Sequence, residues 1–158
     1  MKKTVQIEES EARKMYLTTT SPEFKQMLET TFGKNFLLMK VTDRIKTYED
    51  ACLELGEQPM DEKNLKELGL TNDEITYRKI KTITKALNEG WEADWTDSSQ
   101  YKYYPWFSIS SSGFVFFSMC YYCSNAFAGI SSHFCFKSSE LAKYAGEQFL
   151  PLYSDFIK

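Results

Sequence analysis

The stretch from Tyr101 to Phe136 constrains this chain most. It holds 13 of the 25 aromatic residues and one formal charge, Lys102. Rings gathered at that density need cover from other elements, because apolar surface left in water is unfavourable. Ser, Gly and Pro interrupt the run too often for a transmembrane helix, which needs roughly 20 continuous apolar residues. Aromatic and β-branched residues between turn residues read instead as strands, over about Lys102 to Ser110, Phe114 to Tyr122 and Gly129 to Lys137. Ser111, Ser112 and Gly113 make the first turn. Alternation in the third strand places Ile130, Ser132, Phe134 and Phe136 on a core face and His133, Cys135 and Lys137 on the other. The expected fold is α+β: a small antiparallel β-meander of three or four strands covered by a C-terminal helix, with a helical N-terminal half.

The remaining elements follow from caps and periodicity. Residues 1–20 are polar and read as a flexible tail with about one helical turn near Glu9 to Tyr16. Residues 21–158 read as a single domain, helical over 21–90, with the sheet and last helix over 101–158. Ser21 caps a helix with Pro22 at its first position, and Phe24, Met27, Leu28 and Phe32 form its apolar stripe before Gly33. Phe36 to Val41 is apolar but too short for periodicity to choose between helix and strand. Thr47 and Asp50 form a capping box for a helix that buries Cys52 and stops at Gly56, and Thr71 with Glu74 opens another that reaches Asn88. Ile75, Ile80, Ile83 and Leu87 are its core positions. Ser138 or Ser139 starts the last helix, in which Pro151 predicts a kink.

A length of 158 residues suits one domain, and a formal net charge of −3 does not supply the basic field of a general nucleic-acid binder. The first residues carry no apolar signal-peptide core, which predicts a cytoplasmic protein with no membrane partner and with Cys52, Cys120, Cys123 and Cys135 reduced.

Two strings, ALNEGWEADWTDSSQYKYYPWF (86–107) and CFKSSELAKYAGEQF (135–149), with weaker support from VTDRIKTYEDACLELG (41–56), resemble small proteins encoded by gut Bacteroidales and their prophages. The resemblance spans about residues 36–158. It implies a phage or mobile-element setting and brings no activity, cofactor or site residue with it.

Several constellations bear on chemistry. Cys120-x2-Cys123 with His133-x-Cys135 has the donor types of a tetrahedral zinc site. An extended second strand would turn the first two thiols to opposite faces, so no metal or other cofactor is expected. His133 is the only histidine, and nothing in the sequence supplies the third group of a cysteine or serine triad. Asp94 and Asp97 would suit Mg²⁺ but read more simply as a solvated loop. Nucleotide-binding and acyl-transfer signatures are absent. Two helices around residues 61–88 have the outline of a helix-turn-helix, in which Arg78, Lys79, Lys81 and Lys85 would meet phosphates. Tyr101, Tyr103 and Trp106, with Trp91 and Trp95, are the candidate partner-binding residues, suited to a protein surface or to stacking on single-stranded bases. The expectation is a non-enzymatic accessory or regulatory protein that binds another protein or itself, with nucleic acid binding or a small zinc module as alternatives.

Overall fold

A computed structural model describes residues 6–111, 113–123 and 132–158. The chain divides into two compact units, Met1–Arg44 and Ile45–Lys158.

The first unit contains α1 (Glu9–Thr18), α2 (Pro22–Phe32), α3 (Lys34–Leu37) and α4 (Val41–Arg44). The Ser21 hydroxyl accepts from the Phe24 amide, Pro22 occupies the first turn, and Gly33 ends α2 at φ 84°, a value that favours glycine. Leu28 of α2 is fully buried against Ala12, Tyr16 and Leu37. The Tyr16 hydroxyl donates to Glu29, and the Arg13 guanidinium lies 4.7 Å from the Phe36 ring centroid. Where a tail was expected over residues 1–20, residues 9–18 are therefore a ten-residue helix with a buried face. The short run after Gly33 is helical as well.

The second unit carries the larger core. Its helices begin with α5 (Tyr48–Leu55), α6 (Glu62–Glu67) and α7 (Asn72–Leu87). Both anticipated capping boxes are present, with the Asp50 and Glu74 carboxylates accepting from the Thr47 and Thr71 amides at 2.9 and 2.8 Å. Ile75, Ile80, Ile83 and Leu87 are buried along α7, which packs on α5. The hairpin follows as β1 (Lys102–Ser110) and β2 (Gly113–Tyr122), antiparallel, with Ser110 opposite Gly113. One residue is extra: Trp106 pairs with Ser118 and Phe107 with Phe116, so Phe117 stands outside the ladder as a bulge.

The third strand differs from expectation. Residues 129–131 lie outside the described residues, Ser132–Phe134 forms a 3₁₀ turn, and only Phe136 joins the sheet, through a two-bond antiparallel bridge to Tyr103. Helical winding cancels the period-two pattern there. Cys135 is buried and His133 exposed, rather than sharing a face. The chain ends in α8 (Ser139–Gln148) and α9 (Leu150–Ile157), broken at Phe149 two residues before Pro151, as the missing proline N–H requires. The α+β class thus holds, with the C-terminal helix packed on the hairpin.

Asn88 joins the helices to the sheet. At the end of α7 its buried amide donates to the Cys135 carbonyl at 2.7 Å and accepts from the Lys137 amide at 3.0 Å, gripping the backbone on both sides of Phe136. Removing it leaves the buried Cys135 carbonyl unpaired at about 1–3 kcal/mol and takes the acceptor from the half-buried Lys137 amide. Asn88→Ala is expected to lower stability by about 2–4 kcal/mol in urea unfolding, against Asn88→Asp as the acceptor-only control.

Gly146 lets α8 approach the hairpin. A Cβ there would sit 2.5 Å from the Phe116 ring and 2.9 Å from the Pro105 side chain. Overpacking costs about 1–3 kcal/mol, against about 1 kcal/mol that alanine gains over glycine within a helix, so overpacking wins. Gly146→Ala is expected to destabilise the protein by up to about 2 kcal/mol in the same measurement, the reverse of the usual helical substitution.

Candidate interaction surface on the hairpin

The base of the hairpin is built on a buried charge. Lys102 is fully buried, and its ammonium donates to the Asp97 and Cys123 carbonyls at 2.9 and 2.7 Å while lying 5.5 Å from the Trp95 ring. The four-carbon stem crosses apolar surroundings and the head closes on backbone dipoles. The loop it holds is itself ordered by short-range bonds. The Asp94 carboxylate accepts from the hydroxyl and amide of Thr96, and Asp97 does the same from Ser99. These hydrogen bonds, the hydroxyl first in each case, hold both carboxyl groups below the usual range. The pair makes turns that close onto Lys102.

Beside Lys102 on the same face, Tyr104 is buried and stacks on Tyr122 at 5.3 Å, and burial pushes its hydroxyl pKa far above the ordinary value. Towards the tip, Phe107 packs on Tyr153 of α9, and Phe116 lies against α8. The hairpin is therefore covered at its base on one face and near its tip on the other.

What remains uncovered is apolar. Strand alternation puts Tyr103, Pro105, Met119 and Tyr121 on one face, and Lys102, Tyr104, Trp106 and Ser118 on the other. On the first face Tyr101, Tyr103 and Tyr121 form a mutually contacting trio, with ring centroids 4.8 to 6.1 Å apart. Tyr121 is 56% exposed, and Met119 is exposed next to it. On the second face Trp106 is 46% exposed, with exposed Val115 farther along, and the bulge residue Phe117 is 70% exposed.

The five expected partner-binding residues therefore do not form one patch. Tyr101 and Tyr103 come together, Trp106 lies on the opposite face, and Trp95 is engaged with Lys102. Trp91 lines a separate cleft of about 410 Å³ with Lys81, Asn88 and His133. Phe117 and Tyr121, the most exposed rings of the hairpin, were not singled out by sequence. Phe117 is displayed by a bulge that the uniformly apolar string FVFF does not reveal.

The basic residues of α7 are also divided. Lys79 pairs with Glu62 and lies over the Tyr48 ring, and Lys85 pairs with Glu57, while Arg78 and Lys81 are exposed. Arg78 and Lys81 border a cleft that Glu57, Asp73 and Glu74 also line, so its field is mixed in sign. Among the described residues no three His, Cys, Asp or Glu side chains gather as a metal-binding group, and no helix is long and apolar enough to cross a membrane. Comparison with protein-family models, curated proteins and solved structures gives no match.

Burial pushes the Cys135 thiol up to about 11, with the Lys102 ammonium acting in the opposite direction. The native state then keeps this proton to higher pH than the unfolded chain, so the thiol's contribution is complete below the ordinary value and is lost as pH rises through about 11. Unfolding free energy is expected to fall between about pH 9 and 11, and Cys135→Ala to flatten that slope relative to the native sequence.

Proposed function

We propose that this chain is a non-enzymatic interaction protein whose hairpin binds another protein, acting as an accessory or regulatory component in the phage or mobile-element setting that its sequence resemblance implies. The observation that supports this reading is the display of Trp106, Phe117, Met119 and Tyr121 to solvent from strands without a single charged residue beyond the buried Lys102. Large apolar surface left exposed on a folded unit is a common mark of a binding face, and aromatic and methionine side chains are enriched in such faces. Tyrosine trios add contact area at low cost in side-chain entropy. Nucleic acid is the weaker partner for this surface, because stacking platforms act with cations along a groove and the hairpin has none exposed.

A photo-crosslinking residue in place of Phe117, expressed in a bacterial host, tests the reading against the same residue in place of Leu53, an exposed position on α5. Protein adducts at Phe117 and none at Leu53 are expected by mass spectrometry. Equal yields at both positions, or adducts to nucleic acid alone, remove the basis for the proposal.

A further inference from the structure

We infer that the hairpin's partner is a second copy of this chain, joined by antiparallel pairing of β2 with β2 along their outer edges. The inference rests on the interaction reading and adds the occupant and the mode of contact. Among the described residues β2 pairs with β1 alone, whereas β1 also receives Phe136 on its other side. An edge strand presents a row of backbone donors and acceptors, and natural proteins guard such rows with charges, proline or a bulge. Over its ten residues, GFVFFSMCYY, β2 has no charge and no proline, and its one irregularity is the bulge at Phe117.

The distribution of the exposed side chains favours an edge over a face. A partner laid flat on the hairpin would cover Met119 and Tyr121 or Trp106 and Val115, since these pairs lie on opposite faces. Those faces are already occupied elsewhere by α8, α9 and the Lys102 loop. A strand added beside β2 places side chains against both faces at once.

The chemistry selects a like strand. With no charge on β2, a charged peptide gains nothing from side-chain pairing, while a second β2 is equally long and equally apolar. Aromatic side chains offer roughly 150–250 Å² each, so the exposed Phe117 and Tyr121 of β2, with Val115 and Met119 beside them, hold on the order of 300 Å². A stable interface takes about 800 Å² per partner, and the paired backbones supply part of the rest. Antiparallel pairing of identical strands is two-fold, so it closes after two copies and leaves a four-stranded sheet.

Sedimentation velocity of the full chain from about 1 to 100 µM brackets a micromolar dissociation constant and reads the association. A dimer is expected, with β2 amides over 115–121 more protected from hydrogen exchange in the dimer than on dilution. Phe117→Lys puts two like charges near the two-fold axis and Val115→Lys puts a charge on the apolar edge, and each is expected to abolish the dimer. Both positions are exposed, so the urea midpoint of the monomer should stay unchanged, which separates lost pairing from lost folding. A chain that is monomeric throughout, an assembly that grows without limit, or a dimer that survives both substitutions overturns the inference. Protein adducts at Phe117 from a strictly monomeric chain would leave the interaction reading standing without it.

Discussion

One buried amide ties the end of α7 directly to the backbone that bridges to the hairpin in the second unit. The helical part ends at Asn88, and the hairpin begins 14 residues later at Lys102, after a loop with little core of its own. Asn88 spans that gap by taking both backbone groups around Phe136, and Phe136 in turn makes both bridge bonds to Tyr103 of β1. The series runs from α7 through residues 135–137 into β1 and then β2. Each link is a paired set of donor and acceptor, and at the buried Asn88 and Cys135 an unmatched partner costs more than a matched one gains. A two-stranded hairpin alone is marginal in water, so this tether and the packing of α8 are what let the hairpin keep one geometry.

Lys102 makes the same argument with a charge. Taking an ammonium out of water is costly, and two backbone carbonyls and an aromatic face return part of that cost without a carboxylate partner. The Asp94 and Asp97 carboxylates are occupied by Thr96 and Ser99, while the Asp97 carbonyl accepts from both Lys102 and the Gln100 amide. The one charge in the aromatic stretch is thus its internal post. A surface role for it is excluded by its complete burial.

The elements that sequence revealed are those specified by neighbours. Ser21 with Pro22, the Thr47 and Thr71 boxes, Gly33 and Pro151 each act within four residues, and their helices begin or end where those residues dictate. The features it hid depend on distance. Asn88 finds its partners 47 and 49 residues away. The buried face of α1 consists of Ala12, Arg13 and Tyr16 with Met15 half-buried beside them, and a charged residue within it hides the stripe. The third strand failed because SHF winds into a 3₁₀ turn, leaving a single bridge where alternation suggested a strand. Among the candidate site residues, Tyr103 and Trp106 were grouped as one set although a spacing of three on a strand changes face, and they lie on opposite faces. Their neighbours Phe117 and Tyr121 were not legible, because exposure within an apolar strand is set by what covers it.

That cover explains why the exposed rings occur where they do. A single helix layer, α8 with α9, reaches the tip half of one face, and the Lys102 loop reaches the base half of the other. A twisted hairpin presents its two halves in different directions, so two small covers placed this way leave two diagonal remnants: the tyrosine trio with Met119, and Trp106 with Val115. Widening either cover would hide one remnant and leave the other. An element running alongside the outer strand meets the β2 members of both, Met119 and Tyr121 on one face and Val115 on the other, and β2 is the strand that keeps that side unpaired among the described residues.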